Sequence, residues 1–592
     1  MQEKILVGYI DGSVDSTTQR FTVVLQNDAL VQLDDLLVSE QQLPGSTGTL
    51  NHYAIVVEGL GKIEGAVLAS DTQRIYGSKT MPGSRVRTIT AQILRTVPEL
   101  WISPQPGAEV RAARGEERRV ALFQDRMEGQ SLNVGLDHGD MPVCIDWSFL
   151  NGEKGAHASI SGISGVATKT SYALFMLYML METADGRKLL GPNLSQTKAV
   201  VFNVKGGDLL HIDRPNAKFV NDVRAKEMWA ALGVNDPRPF QSTRFYAPPT
   251  RSGGVIPTAN VIGRKDGEYK IYGWTPLEFI RRGLLQFVFS DAREQNQVSF
   301  VVDHVKAALV RHAVPSAHTP GAVIMRTTPR QNARDFEKAA DLLSRAHTEQ
   351  ANGDKEIKDF SDLIDFLVEQ IEYDQDHNAG VWTQRTTPGT NEAFLRRLIA
   401  MGKRLGHLVR CDVSKLSLDR NINVVDIHSL HDDAQRFVVG AVLDQIWQEK
   451  QTCGRNPLRF VVLDELNKYA PKEGRSPIKE ILIDIAARGR SLGVILIGCQ
   501  QNASGVDGTI VDNAAIKCVG RLDASHADEY RFLSQELRQR STRFLPGTMV
   551  LHQPTVPAPI PITFPFPPYA TNVSEDSLED ENDSDPLADL IV

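Results

Sequence analysis

Residues 158–180 read Ala158-Ser-Ile-Ser-Gly-Ile-Ser-Gly-Val-Ala-Thr-Lys-Thr-Ser-Tyr-Ala-Leu-Phe-Met-Leu-Tyr-Met-Leu180, and the reading of the chain turns on how this stretch is built. A short apolar-alternating run, His157 to Ile160, enters a loop of small residues carrying Gly162 and Gly165. The loop delivers Lys169, Thr170 and Ser171 to the start of a strongly apolar segment, residues 172–181. Strand, glycine loop, Lys-Thr and helix in that order make an anion cradle. Glycines let backbone N–H groups curl around a phosphate, and the helix N-terminus adds the positive end of its dipole.

The candidate phosphate-binding residues are Gly162, Ser164, Gly165, Val166, Ala167, Thr168, Lys169, Thr170 and Ser171. Lys169 is expected to reach the outer phosphates and to carry no core packing, and Thr170 to hold magnesium. The usual spacing, G-x-x-x-x-G-K-[ST], is not met. Thr168 stands where the last glycine belongs, and counted from Gly162 the loop is one residue longer. Alone, the segment fits a plain glycine loop before a core helix equally well.

Residues 459–467, Arg459-Phe-Val-Val-Leu-Asp-Glu-Leu-Asn467, decide between the two. Four consecutive apolar residues read as a buried parallel strand, which needs cover on both faces. Asp464 and Glu465 follow at its C-terminal end, where open α/β sheets place ligands. An acid there can hold Mg2+, and a following glutamate can polarise a water for attack on a γ-phosphate. The competing reading is that the pair only caps the next helix. With Lys169-Thr170 upstream, a nucleotide-triphosphate site is the better account.

The chain has 592 residues, enough for two or three domains with a large core. Its composition is that of a soluble globular protein without a membrane-spanning apolar run. The N-terminus lacks a basic segment followed by an apolar stretch, so a cytoplasmic location is expected. The five cysteines are scattered without metal-ligand spacing and read as reduced, mostly buried thiols. A net charge of −8 argues against a broadly basic surface, though not against a local basic channel.

Residues 1–152 read as β-rich, with strand-like runs at 21–25, 30–33, 52–57 and 88–94 suggesting a small barrel or sandwich. Residues 71–79 read as a loop and 110–119 as a charged connector. Strands and helices alternate through 153–290, where residues 197–203 form a second buried strand ending on a Gly-containing turn. Asn203, Lys205 and Asp208 on that turn are candidates for the water side of the site, or simply turn and cap residues. Residues 291–420 read as a helical insertion, with helices at 300–312, 333–345, 359–373 and 391–408. Arg396, Arg397, Lys403, Arg404 and Arg410 there are either a solvated face or a surface for nucleic acid or a neighbouring subunit.

The sheet pattern resumes over 421–562. A helix at 478–491 contains Arg488-Gly-Arg490, and a strand at 494–498 leads to Gln500, which can bond an attacking water or the γ-phosphate. Residues 563–592 begin as an extended brace, with Phe564, Phe566 and Tyr569 among prolines. From Ser574 the chain becomes acidic and Ser-rich, which predicts disorder and a segment dispensable for activity.

These motifs resemble the HerA family, hexameric ATPases of the HerA/FtsK group, and among them the bacterial members. The resemblance rests on the variant phosphate loop from Ser161 to Ser171, the strand at 200–206, Leu463-Asp-Glu465, Arg488-Gly-Arg490 and the strand ending in Gln500. It implies an α/β, RecA-like P-loop ATPase core with a helical insertion and an N-terminal all-β domain like the HAS-barrel. It implies ATP and Mg2+ as cofactors, with Lys169 on the β/γ-phosphates, Thr170 and Asp464 at the metal and Glu465 as base. Arg490 would act on the nucleotide across a subunit boundary, and Gln500 would be a sensor. Asn203 departs from the acid that archaeal relatives carry at that strand end. The resemblance also implies a homohexamer around double-stranded DNA. The partner would be a separate nuclease of NurA type in DNA end resection, or an effector, nuclease or sirtuin-like NADase, in anti-phage defence.

Overall fold

The computed structural model describes residues 5–43, 45, 47–127, 129–163, 169–251, 257–290, 295–328, 343, 353–383 and 386–575. Two compact units divide the chain: residues 1–149, 231–233 and 516–565 form one, and the remainder forms the other.

The first unit opens with a closed antiparallel barrel of order β1-β2-β5-β4-β3-β6. Its strands are β1 (Leu6–Ile10), β2 (Arg20–Leu25), β3 (Leu36–Gln42), β4 (Thr49–Glu64), β5 (Ser84–Val97) and β6 (Glu109–Ala112). Alternation sends Val7, Phe21, Val23, Leu37, Val56 and Val110 inward, and closure leaves no unpaired edge. Three sequence expectations change here. Residues 30–33 form no strand, and Leu30 is 92% exposed. The supposed connector at 110–119 supplies the strand that closes the barrel, β6, and then the helix Glu116–Ala121. Residues 71–79 carry helical turns, Ala69–Thr72 and Gln73–Gly77, in place of a loop. Charged residues mark barrel strands poorly because one face of each meets water. The unit also contains β7 (Ser131–Leu136) and β8 (Pro142–Asp146).

The second unit is built on a parallel sheet of order β16-β12-β11-β17-β10-β18-β19-β9. Its strands are β9 (Ala158–Ser161), β10 (Lys198–Asn203), β11 (Thr243–Ala247), β12 (Lys270–Gly273), β16 (Ser414–Lys415), β17 (Ile422–Asp426), β18 (Arg459–Leu463) and β19 (Val494–Gln500). β9, β17, β18 and β19 are buried at every residue, as strands covered on both faces must be. The helix Lys169–Met181 is buried around nearly its whole circumference, which explains its unbroken apolar run. Helix Asp432–Cys453 contributes Phe437, Val438, Val442 and Ile446 to the same core. This is the α/β class expected, and the all-β barrel expected at the N-terminus belongs to the other unit.

Helices Gln295–His312, Phe360–His377 and Pro388–Leu405 realise three of the expected helices; the fourth, at 333–345, lies outside the described residues apart from Leu343. Among them runs an antiparallel sheet of β13 (Ala313–Pro315), β14 (Val323–Met325) and β15 (Lys355–Ile357), which periodicity did not signal. Three-residue strands are too short to show a repeat of two. Of the basic residues there, Arg404 pairs with Asp433, Arg410 with Asp412 at 2.5 Å, and Arg397 lies over the Phe289 ring.

After β19 the chain returns to the first unit, where β20 (Ile516–Val519), β21 (Thr548–Gln553) and β22 (Val556–Thr563) pair antiparallel and β22 meets β7.

Candidate functional site

β9 ends at Ser161, and the next residue, Gly162, donates its N–H to the Gln500 carbonyl at 3.2 Å. Ser164, Gly165, Val166, Ala167 and Thr168 lie outside the described residues. The described residues resume at Lys169, in helix Lys169–Met181; Lys169 is 5% exposed and donates from Nζ to the Gly162 carbonyl at 2.9 Å. The lysine is therefore enclosed, not free of the core as expected. Burial, only partly opposed by Asp464, holds its ammonium below the ordinary lysine range.

One helical step on, Thr170 Oγ1 donates to Asp464 Oδ2 at 3.2 Å, across 294 positions of sequence. Asp464 is placed by β18, whose C-terminal end it follows, and its Oδ1 accepts the Glu465 N–H at 2.8 Å. Glu465 has φ +53°, the left-handed region, which costs a residue with a side chain about 1 kcal/mol. It begins the short helix Leu466–Tyr469 yet makes no side-chain cap hydrogen bond. The capping explanation for the acidic pair is thus not realised: Asp464 turns to Thr170.

Lys205 brings a second ammonium to the acids, 3.4 Å from Asp464 Oδ2 and 3.2 Å from Glu465 Oε1. Burial would lower its pKa, but the two carboxylates outweigh that and raise it. Asp208 lines the same cavity, and burial pushes its carboxyl up. Asn203 is buried, donating from Nδ2 to Asp426 Oδ1 at 2.8 Å and to the Gly206 carbonyl at 2.7 Å. Asp426, its partner, ends the neighbouring strand β17. There Asp426 Oδ1 also meets His428 Nδ1 at 2.7 Å.

β19 lies between β9 and β18 and carries Gln500 at its end. Gln500 is fully buried and its Nε2 donates to Ser159 Oγ at 2.7 Å and Ser161 Oγ at 3.0 Å. Its Oε1 has no hydrogen-bond partner among the described residues, so a donor arriving from a ligand would relieve a buried unpaired acceptor. Gly493 sets this strand. At φ +70° it ends the helix Pro477–Leu492, and a Cβ there would lie 1.8 Å from the Arg455 carbonyl oxygen.

Arg490 is not brought to this cavity by its own chain. It sits in the last turn of helix Pro477–Leu492 and donates from Nη2 to the Glu153 carbonyl at 2.6 Å, ahead of β9. Of the two acids on that helix, Glu480 stands in its first turn and Asp484 pairs with Arg488 at 2.8 Å.

Lys169, Thr170, Ser171, Lys205, Asp208 and Asp464 line a cavity of about 370 Å³. Its remaining wall includes Thr571, Asn572 and Glu575, which sequence reasoning assigned to the brace and the dispensable tail. Tyr569 is buried against Tyr178 and Phe240, with ring centroids 5.9 and 4.9 Å away, and Trp229 Nε1 donates to the Phe566 carbonyl at 2.9 Å. The brace therefore lies on its own chain. Glu575, the second residue of the expected disordered tail, is buried and accepts from Thr571 Oγ1 at 2.7 Å and Asn216 Nδ2 at 3.1 Å. The rest of that tail lies outside the described residues. No sequence signal linked residue 575 to residue 169. Asp426 did have one, an acid closing an apolar strand as Asp464 does.

No family model matches the chain, and no curated protein is similar to it. Among solved structures it is similar to VirB4 of Thermoanaerobacter pseudethanolicus, at 16% identity over 74% of this chain and 98% of that one, with a TM-score of 0.42. It is also similar to the bacterial conjugative coupling protein TrwBdeltaN70 in complex with sulphate, at 10% identity over 76% and 94%, TM-score 0.44. The genome packaging NTPase of Sulfolobus turreted icosahedral virus 2 is similar over 25% of this chain and 69% of its own, at 11% identity and TM-score 0.20.

Chemically, the cavity offers a buried ammonium for phosphate oxygens beside a hydroxyl and a carboxylate of the kind hard divalent cations take. A second carboxylate follows in sequence. The cationic Lys205 already resting on both acids shows that this oxygen set accepts positive charge.

Proposed function

We propose that this chain is an ATP-hydrolysing, DNA-translocating motor of the HerA/FtsK group. The observation that carries the reading is the meeting of Thr170 Oγ1 with Asp464 Oδ2 at 3.2 Å, beside the enclosed Lys169. Two segments remote in sequence thereby form one phosphate- and cation-binding surface at the C-terminal edge of a parallel sheet.

In this reading Lys169 leaves the Gly162 carbonyl for the β/γ-phosphates, and Thr170 with Asp464 holds Mg2+. Bound there, Mg2+ would neutralise charge on the phosphate oxygens. Glu465 accepts the proton of the attacking water, and Gln500 orients that water, whose O–H donates to the unpaired Oε1. Arg490, remote from its own cavity, serves the site of a neighbouring copy.

Assembly as a homohexamer around duplex DNA, and a separate effector chain, follow from the motif resemblance. That effector would be a NurA-like nuclease in end resection or a defence nuclease or NADase. The test is ATP turnover with and without long duplex DNA, comparing the wild type with Lys169→Ala. Turnover stimulated by DNA and absent from the variant is expected; turnover retained in the variant would remove the site.

A further inference from the structure

The cation that meets Asp464 within this chain is the ammonium of Lys205, and its placement is built. The turn after β10 is stapled by Asn203 Nδ2, which donates to the Gly206 carbonyl at 2.7 Å, while Gly206 takes φ +48°. Lys205 lies inside that staple, so its stem leaves toward the end of β18. Its Nζ reaches Asp464 Oδ2 and Glu465 Oε1 together, at 3.4 and 3.2 Å. Asp464 Oδ2 is also the oxygen that accepts from Thr170. A divalent cation shared by Thr170 and Asp464 would need that oxygen, and like charges a few ångströms apart repel.

The two lysines of the cavity differ in freedom. Lys169 is enclosed, whereas the Lys205 side chain is 42% exposed against 8% for Asp464. A four-carbon stem with an accessible head can swing without disturbing the core. What would draw it is the most negative group that enters, the terminal phosphate of a triphosphate.

We propose that Lys205 is a positioning residue that hands over: it holds the cation's place on Asp464 and Glu465 in the nucleotide-free chain, and moves to the terminal phosphate when the metal-bound triphosphate arrives. Glu465 is thereby neutralised by an ion pair until a γ-phosphate is present, and freed as a base when one is. A diphosphate offers no such acceptor, so the device favours triphosphate over diphosphate. The inference rests on the nucleotide reading above, and its test separates the two.

The full chain is compared with Lys205→Met, which keeps the stem and loses the charge, and Lys205→Arg, which keeps the charge. Manganese binding to each nucleotide-free protein is followed by electron paramagnetic resonance. Affinities for a non-hydrolysable ATP analogue and for ADP are then measured with magnesium present. Lys205→Met should bind manganese about tenfold more tightly than the wild type and lose about tenfold of its preference for triphosphate. Lys205→Arg should keep the wild-type order in both, which a purely structural role for the stem would not require. Unchanged or weaker manganese binding in Lys205→Met overturns the place-holding. A retained triphosphate preference overturns the hand-over. Should the wild type bind neither nucleotide, the nucleotide reading falls, and the manganese comparison still decides the role of Lys205.

Discussion

Replacing Glu575 with alanine tests whether the wall of the cavity depends on a residue from the acidic end of the chain. Its carboxylate is buried and accepts from Thr571 Oγ1 at 2.7 Å, Thr571 N at 3.1 Å, Asn216 Nδ2 at 3.1 Å and Lys218 Nζ at 3.3 Å. The lysine is 65% exposed, so that pair adds little. The Thr571 and Asn216 bonds are charge-assisted, the Asn216 bond buried and the Thr571 bonds partly so, each worth about 1.5–3 kcal/mol in such settings, and the open cavity beside them lets water replace part of it. A net loss of about 2–4 kcal/mol is expected from Glu575→Ala, and less from Glu575→Gln, which keeps an acceptor oxygen. Burial would raise this carboxyl, but the Thr571 bonds outweigh it and the pKa is lowered. The stabilisation is therefore present above the ordinary glutamate range and is lost as pH falls through the lowered value. Urea unfolding of the nucleotide-free protein reads the effect, with limited proteolysis after Tyr569 reporting whether the segment loosens. Deleting the chain from Ser574 should match Glu575→Ala, whereas deletion from residue 576 should leave the midpoint unchanged. A wild-type midpoint in the Ser574 deletion would refute the reasoning.

Glu465→Gln should bind ATP and leave it uncleaved, because the amide keeps size and hydrogen bonding but cannot take a proton; lost ATP binding, measured by filter retention, would place Glu465 in the structure and not the chemistry. Mixing Arg490→Ala with Lys169→Ala subunits should restore partial ATPase activity, since some interfaces then pair an intact cavity with an intact arginine; a mixture as inactive as each parent would remove the trans role. His157 is buried with Nδ1 accepting the Leu496 N–H at 3.0 Å, and burial lowers its pKa to about 4. Its contribution is full above the unfolded value of about 6.5 and is lost as pH falls toward about 4, with about 2 kcal/mol gone between pH 7.5 and 5. His157→Gln should flatten that part of the urea-stability profile, and an unaltered slope would count against it.

Much of the site's outline was legible before folding because central parallel strands declare themselves in short runs of consecutive apolar residues. Four apolar residues at 460–463 read as a strand buried on both faces, and the acids that follow then stand at its end. A short alternating run marked β9, and unbroken apolar runs marked the helix after Lys169 and the strand ending in Gln500. Barrel strands with one face in water, such as β6, and the three-residue strands β13 to β15 carry too short or too polar a pattern to declare themselves.

Sequence by itself determined which residue types occupy the loop, the strand ends and the final turn of helix Pro477–Leu492, because each lies within a few residues of the element that defines it. Tertiary structure alone decided which of them meet. Thr170 finds Asp464 only because β19 places β18 one strand away from β9, and Lys205 finds both acids only because β10 flanks β18. Glu575 reaches the cavity because Tyr569 is wedged between Tyr178 and Phe240, a packing of three remote aromatic rings. Contacts between distant segments depend on the whole core closing at once, so no local pattern encodes them.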